Sequence, residues 1–201
     1  MDTSKVKFIK PPVVDEPVWK KIIVESNLPE ILTDHAWCEQ KAATNAISIV
    51  VSNPERVDLV TDMLDLAKEE IEHFELVHEV IKKRGYTLGR ERKDSYVNEL
   101  YKFMLKGGSR NDQLVDRLLF SAMIEARSCE RFKTLSENIE DKELAAFYYD
   151  LMVSEAGHYT MFLRHAKAVT ERVDVDKRWK EWLAHEAIVI QNYGKSETVH
   201  G

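Results

Sequence analysis

The chain has 201 residues, 44% of them hydrophobic and 32% charged, with a formal net charge of −6. That length suits one domain, and the apolar share is enough for a core and too high for a disordered chain. The negative balance excludes a generally basic nucleic-acid binder, so any nucleic-acid contact must use a local patch.

Two cysteines, Cys38 and Cys129, with no C-x-x-C, exclude a disulfide-dense scaffold, a rubredoxin-like iron site and a zinc knuckle. The longest apolar stretch, Ala46 to Val51, is broken by Ser48 and falls far short of the ~20 residues of a membrane span. Met1 to Lys10 has no apolar signal core, so a soluble cytoplasmic protein is expected, with no membrane partner. Gly is 7 and Pro is 5, a scarcity of helix breakers that points to a helix-rich chain.

Residues 1–16 read as extended, and a short helix is expected over about Val18–Glu25. Asn27 and Pro29 mark the start of the first long helix, whose apolar positions Leu32, His35/Ala36, Ala42/Ala43, Ala46 and Ile49/Val50 recur at three and four residues. Asn53-Pro54-Glu55 is a second start signal, opening a helix with Val60, Met63/Leu64, Ala67, Ile71, Phe74, Val77 and Ile81 in line and Gly85 to end it. Residues 86–110 hold three glycines and a short helix at about Ser95–Leu105. A third long helix is expected from about Asp112 to Glu137, with Leu118, Ala122, Cys129 and Phe132 on one face. Asp141 can cap a fourth, from about Lys142 to Val169, and a last helix spans about Asp176–Tyr193 before Gly194. Nothing reads as a strand.

Connections one-to-two and three-to-four are short, which makes those neighbours antiparallel, while connection two-to-three is long enough to cross a bundle. The expected fold is therefore all-α: a ferritin-like four-helix bundle with one long crossover, plus short N-terminal and C-terminal helices. It would form a single domain over 1–201, with its core at about 28–170 and the crossover at about 85–110.

Four glutamates sit where the apolar pattern wants core residues: Glu39, Glu70, Glu125 and Glu155, one near the middle of each long helix. Burying them uncompensated would cost several kcal/mol for each ion. His73 and His158 lie one turn beyond Glu70 and Glu155, and residues i and i+3 project from one helix face, so both can reach the same ion. Four carboxylates, two neutral imidazoles and two divalent ions sum to zero charge. This is the donor pattern of di-metal carboxylate bundles, a Glu from each of two helices and a Glu-x-x-His from each of the other two. Oxygen and nitrogen donors without thiolate suit iron or manganese.

Two further Glu-x-x-His pairs compete, Glu75/His78 on the same helix and Glu197/His200 in the terminal tail. An internal repeat decides between them. Asp65 to Phe74 aligns with Asp150 to Tyr159 in the pattern D-L-x-x-x-E-x-x-H-[FY], and Glu39 and Glu125 precede the paired glutamates by 31 and 30 residues. The expected metal ligands are Glu39, Glu70, His73, Glu125, Glu155 and His158. Cys38 and Cys129 read as small apolar fillers, Tyr148, Tyr149 and Tyr159 as core aromatics, and His35 as a core or metal-supporting histidine rather than a ligand.

The crossover is locally positive: Lys82, Lys83, Arg84, Arg90, Arg92, Lys93, Lys102, Lys106 and Arg110 stand against Glu91, Asp94 and Glu99. Tyr86, Tyr96, Tyr101 and Phe103 are interleaved, a mixture that suits phosphate neutralisation and base stacking in a looped single strand.

The runs Asp34 to Ala43, Ile124-Glu125-Ala126-Arg127-Ser128-Cys129-Glu130-Arg131-Phe132 and Phe147 to His158 carry a resemblance. Over roughly residues 28–170 the chain resembles the tRNA 2-methylthio-isopentenyl-adenosine hydroxylases of the MiaE type. The resemblance implies a ferritin-like, non-haem di-iron monooxygenase that hydroxylates the isopentenyl side chain of an adenosine beside the tRNA anticodon. It implies two iron ions on the six residues already found, dioxygen as co-substrate, the tRNA anticodon loop as partner and an external electron donor of the reductase or ferredoxin kind. Lys82, Lys83, Arg84, Arg90, Arg92 and Lys93 are the candidate tRNA contacts. The competing functions are a di-iron oxidase or peroxidase acting on a small molecule and a ferritin-like iron-binding protein.

Overall fold

The computed structural model describes residues 27–91, 93, 95–170 and 172–193, and every described element is a helix. The expected helix at Val18–Glu25, the Glu197/His200 pair, Arg92 and Gly194 lie outside the described residues. The helices fall into two compact units, α1 and α2 in one and α3 to α6 in the other.

In the first unit α1 spans Leu28–Ser52 and α2 spans Val57–Lys83. Pro29 sits in the first turn of α1, where a missing N–H costs nothing. Asn53 ends this helix instead of opening the next one. Its side-chain amide donates to the Ile49 carbonyl at 2.9 Å and its backbone N–H to that of Val50 at 3.1 Å. Gly85, at φ +71°, closes α2 in a Schellman arrangement, with Tyr86 N bonded to Ile81 O and Gly85 N to Lys82 O. Leu32, Ala36, Ala43, Ala46 and Ile49 of α1 and Met63, Ala67, Val77 and Ile81 of α2 are buried as their spacing requires. Leu64 and Ile71 are not: the buried positions are Glu70 and His73, and Ile71, a further 100° round the helix from Glu70, is turned outward.

The second unit holds α3 (Ser95–Phe103), α4 (Arg110–Asn138), α5 (Lys142–Val169) and α6 (Val175–Tyr193). Ser109 and Asp112 form a reciprocal capping box at the start of α4, and the Asp141 carboxylate accepts the Glu143 and Leu144 N–H groups at the start of α5. Helices α4 and α5 are antiparallel: Glu125 meets His158, Cys129 meets Met152 and Phe132 meets Tyr148, numbers rising on one helix as they fall on the other.

Two buried acids tie α6 and α3 to α4. Asp116 accepts from Arg178 Nε and Nη2 at 2.7 and 2.9 Å, from the Leu105 N–H at 2.7 Å and from the Trp182 indole at 3.2 Å. The Arg178 guanidinium also lies 4.3 Å from the centre of the Phe103 ring. Glu186 takes both arms of the Arg127 guanidinium and the Tyr96 hydroxyl. Burial, reinforced by the Glu186 charge, holds the Tyr96 phenol well above its ordinary pKa, so it donates as a neutral hydroxyl. Removing one member of a buried pair leaves the other charge uncompensated, at a cost of about 3–5 kcal/mol. Glu186→Ala is therefore expected to lower unfolding stability by about that amount in urea. A loss under about 1 kcal/mol would show that α6 is not held by this pair.

Candidate metal centre

Each half of the sequence repeat builds one three-residue donor set. In the first unit α1 supplies Glu39 and α2 supplies Glu70 and His73, which are 4%, 0% and 6% exposed. One donor atom from each lies within 4.8 Å of the others, and His73 Nδ1 stands 3.6 Å from Glu70 Oε2. In the second unit α4 supplies Glu125 and α5 supplies Glu155 and His158, at 5%, 1% and 5% exposure. Their donor atoms also lie within 4.8 Å of one another, with His158 Nδ1 at 4.0 Å from Glu125 Oε2 and 3.8 Å from Glu155 Oε2.

These separations are too long for hydrogen bonds between the donors and are spanned by an ion with bonds of about 2 Å. Two carboxylates and one imidazole, buried together on neighbouring helices, fit a divalent metal in each unit. The donors contain no thiolate, which suits iron or manganese.

His35, fully buried one turn before Glu39, brings Nε2 to 2.6 Å from Glu39 Oε1. It fixes the orientation of that carboxylate, the supporting role its place on the helix stripe suggested. The competing pair does not join the set, since Glu75 is exposed and His78 is half-buried beside the Phe74 ring. The buried Cys129 thiol lies 3.4 Å from the Met152 carbonyl, and burial, with the Glu155 charge, pushes its pKa up to about 12. It is a neutral filler at physiological pH, as expected. Tyr148 is buried against Phe132 and Phe147, Tyr149 is exposed, and Tyr159 is half-buried with its ring beside Trp179. Of the basic residues, Lys82, Lys83, Arg90 and Lys93 are exposed and Arg84 is half-buried.

What sequence reasoning missed lies on the other side of α4. Arg127 contacts Glu130 as well as Glu186, and Arg131 is buried with them. Burial raises the Glu130 pKa to about 7 against the pull of Arg127, and burial with Arg127 alongside lowers that of Arg131 to about 10. The signal was present in the run Glu125 to Phe132, where charged residues fall on more than one face of an otherwise apolar helix.

Comparison with known proteins gives a consistent picture. The family tRNA-(MS[2]IO[6]A)-hydroxylase (MiaE) matches residues 3–201. The tRNA 2-(methylsulfanyl)-N(6)-isopentenyladenosine(37) hydroxylase of Pseudomonas putida is 37% identical over 162 residues, covering 81% of this chain and 78% of that protein. The protein of the same name from Salmonella typhimurium is 30% identical over 213 residues, covering 82% and 77%. Among solved structures, a Synechococcus protein described as having aldehyde deformylating oxygenase activity superposes with a TM-score of 0.85. It is 28% identical, and the match covers 97% of this chain and 96% of that one. The fold class is thus the ferritin-like all-α class expected from the connectivity.

Metal analysis after dialysis against iron(II) is expected to find Glu70→Ala and His158→Ala depleted and Glu75→Ala and His78→Ala loaded like the parent. The reverse pattern would move the site one turn along α2.

Proposed function

This chain belongs to the tRNA-(MS[2]IO[6]A)-hydroxylase (MiaE) family, and from that membership we propose that it hydroxylates the isopentenyl side chain of (2-methylthio-)isopentenyl-adenosine beside the tRNA anticodon. The observation that carries the proposal is the duplicated, buried Glu plus Glu-x-x-His set in a chain whose relatives bear that activity in their names. In this reading residues 1–201 act as one domain. Glu39, Glu70, His73, Glu125, Glu155 and His158 together hold two iron ions, and the charge of the centre sums to zero.

Two iron ions held there would supply dioxygen activation, by which one oxygen atom would enter an allylic C–H bond of the prenyl group and the other would leave as water, with two electrons from an external donor and two protons from solvent. The protein contributes the surroundings. His35 holds the Glu39 carboxylate in one orientation, so that carboxylate needs no rearrangement when it binds a metal. Small buried residues neighbour the lone glutamates within each unit, Ala43 one turn after Glu39 and Ala122 one turn before Glu125, and keep the surroundings of each donor set apolar. Lys82, Lys83, Arg84, Arg90, Arg92 and Lys93 take phosphates of the anticodon stem-loop. A tRNA substrate places the reaction in the cytoplasm, with an electron donor of the ferredoxin or reductase kind as second partner. None of the described helices is long and apolar enough to cross a membrane.

The aldehyde deformylating oxygenase activity of the Synechococcus protein favours one other reading, a di-iron oxidase of a small molecule. Nucleoside mass spectrometry separates the two. Iron-loaded protein with reductant, dioxygen and isopentenylated tRNA is expected to add one oxygen to the prenylated adenosine, and His158→Ala to add none. Dioxygen consumption without that gain would favour the small-molecule reading.

A further inference from the structure

After α2 the chain does not loop away from its unit. Its residues 89–91 reach back to α1. The Gly89 N–H donates to Thr33 Oγ1 at 3.3 Å, the Trp37 indole N–H donates to the Gly89 carbonyl at 2.9 Å, and Lys41 pairs with Glu91 at 3.1 Å. Numbers rise together on both, so residues 89–91 run in the direction of α1, from the level of Thr33 and Trp37 to that of Lys41, just beyond Glu39. From Thr33 to Lys41 that is about 12 Å at 1.5 Å per residue. At 100° per residue Trp37 and Lys41 lie nearly opposite Glu39 on the helix, so the segment covers the side of α1 away from the donor set.

The contact depends on a glycine. A Cβ at position 89 would stand 3.1 Å from Thr33 Cγ2. It depends also on an indole held from its other side, because the Trp37 ring lies 5.9 Å from that of Phe74 on α2. The chain is basic on both sides of this latch, with Lys82, Lys83 and Arg84 before it, Arg90 and Lys93 after it, and Lys41 beside it on α1. Lys82 pairs with the exposed Glu79 and Lys41 with the exposed Glu91. Surface pairs of that kind are weak and exchange readily for phosphate.

We propose that residues 86–91 form a strap, latched to α1 by Gly89 and Trp37, that presents Lys41, Arg90 and Lys93 as a preformed edge for the tRNA phosphate backbone and sets its position relative to Glu39. This rests on the tRNA reading above and goes beyond it by assigning positioning roles to Gly89, Thr33 and Trp37, which carry no charge. A surface fixed before binding loses little freedom on binding, so the latch contributes to affinity without touching RNA.

The test measures tRNA binding by the iron-loaded full chain across a salt series, for the parent, Trp37→Phe, Gly89→Val and the double variant Arg90→Glu/Lys93→Glu. The double variant is expected to weaken binding more than tenfold at low salt. It should also flatten the slope of log Kd against log salt by roughly 0.7–0.9 for each phosphate it no longer neutralises. Trp37→Phe keeps the ring beside Phe74 and removes only the donor. It is expected to raise Kd several-fold, and Gly89→Val more, with iron per chain unchanged in all three. A merely structural role would lower thermal stability and leave the salt slope at the parent value. If the parent hydroxylates tRNA while Trp37→Phe and Gly89→Val bind it with the parent's Kd, whatever the double variant does, or while the double variant keeps the parent's Kd and slope, the strap is overturned and the function stands. If the parent neither binds nor modifies tRNA, both are overturned.

Discussion

A carboxyl group inside a helical core must be paired with a positive charge, hydrogen-bonded or neutralised, because a bare buried carboxylate is costly. This chain places four glutamates at interior positions of four long helices, and the burial of all four shows that the pattern is met in the folded protein. Removing an ion of that size from water costs several kcal/mol even after relaxation, so four such groups are costly to the fold unless a counter-charge is bound among them. The pairing of helices follows from it. In each unit an antiparallel neighbour brings one lone glutamate to the level of a Glu-x-x-His turn. In the second unit Cys129 on Met152 and Phe132 on Tyr148 fix the register at which Glu125 reaches His158.

Helix α4 shows how the same constraint is met in two ways. Toward α5 it offers Glu125, buried within 4.8 Å of donor atoms of Glu155 and His158. Elsewhere on it the buried Arg127 and Arg131 lie with the half-buried Glu130, and Arg127 pairs with both Glu130 and the buried Glu186 of α6. The two networks are two residues apart on one rigid helix, so α6 steadies the element that carries a donor. Asp116, nearer the start of α4, repeats the device with Arg178 and Trp182.

Much of this was legible in the sequence. The four long helices follow from periodicity, and the cap at Asp141 and the glycine at 85 end or begin them where expected. The repeat was legible because one Glu-x-x-His is common by chance and two with matched lone glutamates are not, and all six of its acidic and imidazole residues are buried in the structure. Burial then separated Glu70/His73 from Glu75/His78, which a helical wheel alone could not do, since His78 borders the same stripe. Ile71 misled for the converse reason, an apolar residue next to the true inner face. The role of Asn53 at the end of α1, the partners of Arg127 and Arg178, and the contact of Gly89 with Thr33 were not legible. Each depends on which donor meets which acceptor, up to 75 residues away, and hydrophobic periodicity carries no information about that.

The central claim is that one chain's six buried donors hold two metal ions. Anaerobic titration of metal-free protein with iron(II), followed by thermal stability, tests it most directly. The account predicts saturation at two ions per chain, with a rise in melting temperature that ends at the same point. Saturation at one ion, uptake of many ions per chain, or a melting temperature indifferent to iron would contradict it.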